Sequence, residues 1–232
     1  MRDWLSIRRD ATPETPALVD EETDQSWTYR DLNESVDALA GRLATLGVSS
    51  GDRVGVLMET RPAFVEIVWA IQRLGATLVP FNARLTGDEI EDQWETIAPT
   101  LLVTERAHES TASTVTGTAP VLSVDDPQHD DVRSIETVDP IVVDPVDRRL
   151  SATLVIMFTS GTTGDPKPVR VTGRNVLASA VASAYRLGVI PQDEWLLTLP
   201  MYHMGGLSIP IRTTIYGTTT VMRRGFDPDG VL

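Results

Sequence analysis

The pattern of this chain predicts an α/β fold of mostly parallel sheets flanked by helices, and three observations carry the prediction. Short apolar runs of strand length alternate with longer stretches whose apolar residues recur at helical spacing. Glycine or proline marks most of the junctions between them. The segments between consecutive strands are long enough for the right-handed crossovers that parallel pairing requires.

Residues 20–26 are polar and turn-like and lead to Trp27-Thr28-Tyr29. Leu32, Val36, Leu39, Leu43 and Leu46 follow at helical spacing, with Gly47 as the stop. A strand is expected over 53–58. Residues 62–74 read as an apolar-faced helix with Pro62 near its start and Gly75 just past its end. A strand follows over 77–80, then a polar helix over 86–97 opened by a Thr86/Glu89 capping box, then a strand over 100–104. Residues 105–120 show no clear period. The stretch 125–147 is acidic and proline-punctuated, apolar only at Ile141-Val142-Val143, as in a long surface loop or a boundary. Order resumes with an apolar strand over 152–158 and a helix over 175–187. A strand over 195–198, an apolar helix over 207–215 and a strand over 218–222 complete the series. Arg223 and Arg224 are expected at a solvated strand end, and Phe226-Asp227-Pro228 opens a helix with an Asp N-cap and Pro at the first position. The expected organisation is a first α/β subdomain over 1–124, an acidic boundary over 125–149, and the start of a second, incomplete subdomain over 150–232.

Composition narrows the function classes. A net charge of −13 argues against nucleic acid as a partner. Acidic residues are spread along the chain with almost no lysine, which suggests adaptation to high salt. The absence of cysteine excludes disulfides, thiolate metal sites and a cysteine nucleophile. His108, His129 and His203 show no metal-ligand spacing. Met1-Arg2-Asp3-Trp4 begins no apolar leader and no stretch approaches membrane-spanning length, so a cytoplasmic protein without a membrane partner is expected.

Among 20 basic residues only Lys167 is a lysine, and it follows Phe158-Thr159-Ser160-Gly161-Thr162-Thr163-Gly164-Asp165-Pro166. Glycines let backbone N–H groups approach phosphate oxygens, hydroxyls donate further bonds, and a flexible ammonium acts as a mobile point charge. A P-loop is excluded, because Pro166 stands where its second glycine must be. A dinucleotide fingerprint is excluded because Gly161 and Gly164 supply only its last pair. The composition by itself also fits an ordinary Ser/Thr/Gly turn between two elements.

The full string Thr159-Ser160-Gly161-Thr162-Thr163-Gly164-x-Pro166-Lys167 resembles the phosphate loop of the adenylate-forming (AMP-binding) enzymes, a superfamily that includes acyl-CoA synthetases. Trp27-Thr28-Tyr29-Arg30-Asp31-Leu32 and Arg73-Leu74-Gly75-Ala76-Thr77-Leu78-Val79-Pro80 resemble two of its structural signatures, in the right order. Two positions depart from the family pattern: Pro168 replaces a usual glycine, and Gly173 replaces a common histidine. The resemblance covers nearly all of this chain and about the first half of such an enzyme. It implies the N-terminal portion of that fold, with ATP phosphates bound by Thr159, Ser160, Gly161, Thr162, Thr163, Gly164 and Lys167. It further implies Mg²⁺ carried with ATP, coenzyme A as co-substrate, a small carboxylic acid as substrate, and a C-terminal half as partner; a homo-oligomer is left open.

Pro200-Met201-Tyr202-His203-Met204-Gly205-Gly206-Leu207 resembles the family's Pro-x-aromatic-His-x-x-Gly motif, which makes His203 a catalytic-site residue that positions or gates the substrate carboxylate. The segment from Asp193 to Pro200, with Gly206-Leu207-Ser208, Arg212 and Tyr216-Gly217, is most similar to the o-succinylbenzoate–CoA ligases of menaquinone biosynthesis. Arg212 lies in an apolar run, where a charge needs a partner. Its fork suits a second substrate carboxylate, and an ordinary ion pair is the equal alternative. The family also uses a Tyr-Gly-x-Thr-Glu segment, a Thr-Gly-Asp segment and a late lysine; Tyr216-Gly217-Thr218-Thr219-Thr220 lacks the glutamate and reads as a helix-to-strand turn.

Three readings follow. The chain is a fragment of an o-succinylbenzoate–CoA ligase, or of another acyl-CoA synthetase for a fatty or aromatic acid. If it is naturally this short, it is a nonenzymatic nucleotide-binding remnant or a partner subunit. In each case residues 1–232 alone are expected to form no thioester and to expose apolar surface that favours association.

Overall fold

The computed structural model describes residues 1–159 and 166–224. The first elements are α1 (Trp4–Ala11), capped by the Asp3 carboxylate, and a hairpin of β1 (Pro16–Asp20) and β2 (Gln25–Thr28). The chain passes directly into α2 (Tyr29–Thr45), because Thr28 and Asp31 close a capping box at that junction. Then β3 (Arg53–Leu57), α3 (Pro62–Arg73), β4 (Thr77–Pro80), α4 (Gly87–Ile97) and β5 (Leu101–Thr104) alternate as expected. The Thr86/Glu89 capping box is in place at the start of α4. The stretch without a clear period holds α5 (Glu109–Thr116). Next come β6 (Val121–Ser123), β7 (Val132–Ser134), β8 (Thr153–Thr159), β9 (Lys167–Thr172) and α6 (Gly173–Leu187). The last described elements are β10 (Glu194–Leu197), α7 (Met204–Tyr216) and β11 (Thr219–Met222), with Gly217 turning the chain between the final pair at φ 80°. The helix expected at Phe226-Asp227-Pro228 lies outside the described residues.

Two sheets organise these elements. A seven-stranded sheet has the order β7-β6-β5-β3-β4-β8-β9, parallel except for β9, which is antiparallel to β8. A four-stranded sheet has the order β10-β11-β1-β2, with only β2 antiparallel. Sheet membership does not follow chain order: β1 and β2 join the four-stranded sheet with β10 and β11, while β8 and β9 close the seven-stranded sheet. The sequential division at residues 125–149 is therefore not the division between sheets.

The central strands are buried on both faces, which is why they read as unbroken apolar runs. Val54, Val56, Leu78, Leu101 and Val103 join the core beneath α2 and α3. Their alternates Leu57, Val79 and Leu102 join a second core with Phe81, Ile90, Trp94, Ala112 and Val115, beneath α4 and α5. The acidic stretch after β7 lies against the helices. At Gly41 a Cβ would come within 2.2 Å of the Ile141 carbonyl oxygen, so α2 and the crossing chain touch backbone to backbone. Arg148 then donates to Gln72 Oε1 (2.8 Å), the Ala76 carbonyl (2.8 Å) and the Thr153 carbonyl (2.7 Å), tying this stretch to the start of β8.

Candidate functional site

The strand expected before the polar loop is β8, anchored by buried Leu154, Val155 and Met157. Its last residue, Thr159, is the register partner of Lys167, the first residue of β9, and both are exposed. The hairpin therefore sets a hydroxyl and the single ammonium side by side at the mouth of the loop. Ser160, Gly161, Thr162, Thr163 and Gly164 lie outside the described residues. Pro168 sits opposite Phe158 on the edge strand of the sheet, a place where the missing N–H is tolerated. Gly173 opens α6 with its N–H on the Ala152 carbonyl (3.2 Å), and a Cβ there would approach the Leu150 carbonyl oxygen to 3.3 Å.

The second motif forms the turn between β10 and α7. Met201 and Tyr202 are buried, whereas His203 is exposed and occupies the N-cap of α7. The His203 ring meets the Tyr202 ring edge-on at 4.9 Å. Burial and the nearby Glu59 carboxylate push the Tyr202 phenol above its ordinary range, against the pull of Arg84. Gly206 is required by close approach: a Cβ would lie 2.3 Å from the Pro200 carbonyl oxygen and 2.4 Å from that of Leu199.

Arg212 is half-buried on α7, with its guanidinium carbon 5.3 Å from the centre of the Trp195 ring. Trp195 in turn lies 6.0 Å from the Tyr216 ring. Among the described residues no carboxylate lies within ion-pair distance of Arg212, and the partner described for it is the face of the Trp195 ring. The sequence placed Trp195 in a strand but gave no sign of this stack, which arises only when α7 folds over β10. No hydrogen bond among the described residues joins the Thr159/Lys167 mouth to His203 or Arg212.

Arg223 and Arg224 correct an expectation. They are not simply solvated: Arg223 pairs with Glu21 (2.6 Å) and Arg224 with Asp20 (3.2 Å) and Glu22 (3.4 Å). The turn between β1 and β2 is brought to them by the parallel pairing of β1 with β11, a contact no local pattern announces. Among the described residues no cluster of three or more His, Cys, Asp or Glu is placed to hold a metal ion, and no helix is long and apolar enough to cross a membrane.

The described framework is thus α/β, with Thr159 and Lys167 as register partners on an edge hairpin of one sheet and His203 at the head of α7, beside the other. The chain belongs to the AMP-binding enzyme family, whose model matches residues 6–232. It is 38% identical to a 2-succinylbenzoate–CoA ligase of Bacillus pumilus, over 99% of this chain and 45% of that protein. To the ligase of the same name in Bacillus subtilis it is 34% identical, again over 99% and 45%. Among solved structures it resembles the Bacillus subtilis o-succinylbenzoate CoA synthetase in complex with the acyl-adenylate intermediate OSB-AMP. That match has a TM-score of 0.90 at 32% identity and covers all of this chain and 58% of that one. The same synthetase in complex with ATP and magnesium ion matches with a TM-score of 0.89 at 31% identity, covering 60% of its chain. The chain thus spans about half the length of the curated relatives it matches.

Proposed function

We propose that this chain is the N-terminal portion of an ATP-dependent acid–CoA ligase acting on o-succinylbenzoate. The observation that carries the reading is the Thr159/Lys167 pair at the mouth of the β8–β9 hairpin, in a chain whose similar proteins are 2-succinylbenzoate–CoA ligases. In the first step the acid's carboxylate attacks the α-phosphorus of ATP and pyrophosphate leaves. In the second, the coenzyme A thiolate displaces AMP and the thioester forms. Mg²⁺ would enter on the nucleotide's phosphates and neutralise charge there.

Thr159, the loop hydroxyls of Ser160, Thr162 and Thr163, and the backbone of Gly161 and Gly164 serve as donors to the β- and γ-phosphates. Lys167 follows the departing pyrophosphate as a mobile point charge. His203, exposed at the head of α7, positions the reacting carboxylate and need not take a proton. Arg212 meets the substrate's second carboxylate. Trp195 covers one face of its guanidinium and leaves the N–H edge free for a bidentate pair. A cytoplasmic location fits a reaction that consumes ATP and coenzyme A, and the diffuse acidity fits a high-salt interior.

The test is thioester formation by the full-length protein that carries this chain, with ATP, coenzyme A and either o-succinylbenzoate, a fatty acid or a simple aromatic acid. Turnover of o-succinylbenzoate above the others supports the reading; preference for a monocarboxylate replaces it with a general acyl-CoA synthetase. Arg212→Ala is expected to lower kcat/KM for o-succinylbenzoate by about 10²-fold, the scale of losing a charge-assisted pair, with ATP affinity unchanged. An unchanged kcat/KM removes Arg212 from the acid pocket.

A further inference from the structure

Thr60 joins the two sheets at the site. It lies in the loop between β3 and α3, is 8% exposed, and its Oγ1 accepts the Met201 backbone N–H at 2.8 Å. Met201 stands in the Pro200–His203 turn, so this buried bond links the loop after a central strand of the seven-stranded sheet to the turn that carries His203.

The loop bearing Thr60 is itself clamped. The Glu59 N–H donates to Glu105 Oε1 (2.7 Å), and Arg61 donates to Glu105 Oε2 (3.0 Å). Arg61 also makes a two-pronged contact with Asp125, both bonds 3.0 Å, and Asp125 accepts the Arg106 N–H as well (3.0 Å). Burial pushes the Asp125 carboxyl up, but the donors from Arg61 and Arg106 outweigh it and hold the group below its ordinary range. Glu59, Glu105 and Asp125 follow β3, β5 and β6, which are adjacent, so the clamp fixes the C-terminal ends of three neighbouring strands. On the far side of the bond the turn is equally constrained, because Gly206 packs against the Pro200 and Leu199 carbonyls without room for a Cβ.

We infer that Thr60 is a positioning residue for the adenylation step: through the Met201 amide it fixes where His203 stands relative to the sheet that carries the phosphate loop. The inference rests on the ligase reading above. The acid is held by elements of the four-stranded sheet and the phosphates by the edge of the seven-stranded sheet, and attack on phosphorus requires the two to be aligned closely. A displacement of about 1 Å between reacting groups is enough to cost on the order of 10²-fold in rate. The Glu105–Arg61–Asp125 clamp supplies the stiffness, and Thr60 carries it across.

The experiment uses the full-length protein with Thr60→Val, which keeps the shape and removes the acceptor, and Thr60→Ser, which restores it. Met201 amide exchange is measured together with the His203 imidazole resonance, which His203→Gln assigns. Acid-dependent adenylation is followed by pyrophosphate exchange. Expected for Thr60→Val are faster exchange at Met201, a shifted His203 resonance and a roughly ten- to hundredfold lower kcat for adenylation, with KM for ATP unchanged; Thr60→Ser returns all of them toward wild type. A Met201 amide in the wild-type protein that exchanges at the unprotected rate overturns the inference without any variant, which also decides the case if Thr60→Val does not fold. A His203 resonance unmoved in Thr60→Val overturns it equally. If His203 moves as expected but His203→Ala leaves adenylation intact, it is the assigned role of His203 in the ligase reading that fails.

Discussion

Arg73 has no exposed side-chain surface, yet it carries a positive charge into the junction of three helices. At the end of α3 it donates to Asp3 beside α1 (3.3 Å), to Ser6 Oγ in α1 (3.0 Å) and to Asn33 Oδ1 in α2 (2.8 Å), and it pairs with Asp37 one turn further along α2. The Asp3 side chain is only 2% exposed, so the pair stands or falls together. Arg73→Met leaves the Asp3 carboxylate buried without a counter-charge and is expected to destabilise the fold by about 3–5 kcal/mol. Adding Asp3→Asn to Arg73→Met should recover a large part of that loss, because the unpaired charge is then gone. Urea denaturation of the single and double variants measures both, and a double variant no more stable than Arg73→Met contradicts the account.

At the scale of elements, glycines fix how closely the parts of the site approach. Gly205 and Gly206 are neighbours in the first turn of α7 with opposite demands. A Cβ at Gly206 would strike two backbone carbonyl oxygens, whereas one at Gly205 would meet only the end of the Leu199 side chain at 3.1 Å. Gly206→Ala is therefore expected to cost about 1–3 kcal/mol and to displace the His203 turn, while Gly205→Ala leaves the melting temperature nearly unchanged. Equal losses in thermal melts of the two variants would remove the close-approach argument. Elements with local punctuation were legible from sequence: Gly75 after α3, the Thr86/Glu89 box of α4, and the apolar runs of β4 and β5 all lie where the residues indicated. Those that depend on distant partners were not. Short β1, opening on Pro16, is a strand because Leu18 aligns with Thr220, and β9 hides its character behind Pro168 and an exposed edge pattern. The same distinction holds in the site. Lys167 and His203 stood out by motif, whereas the Trp195 face under Arg212 and the Thr60–Met201 bond, 141 residues apart, exist only once the sheets assemble.

At the scale of the whole molecule, two surface properties oppose each other. Val181 and Tyr185, one turn apart on α6, are 60% and 94% exposed, and Leu187, Ile190, Leu196 and Leu199 are further exposed apolar side chains. Large apolar side chains exposed together on one helix face, as Val181 and Tyr185 are, favour association. Against it stands a net charge of −13, which makes two copies repel. Salt decides the balance, because the Debye length shrinks from about 10 Å at 0.1 M to about 3 Å at 1 M, removing the repulsion while leaving apolar burial in force. Residues 1–232 produced alone are therefore expected to self-associate more strongly as salt rises, the reverse of an association held by ion pairs. Sedimentation at 0.1 M and 1 M salt measures the trend, and Val181→Glu with Tyr185→Glu should weaken association at both concentrations by placing charge on the face itself. A monomer at every concentration and salt would mean that this face is too small or too uneven to bury against a copy of itself. Association that weakens with salt would point to the paired charges around Arg223 and Arg224, and not to α6, as the contact.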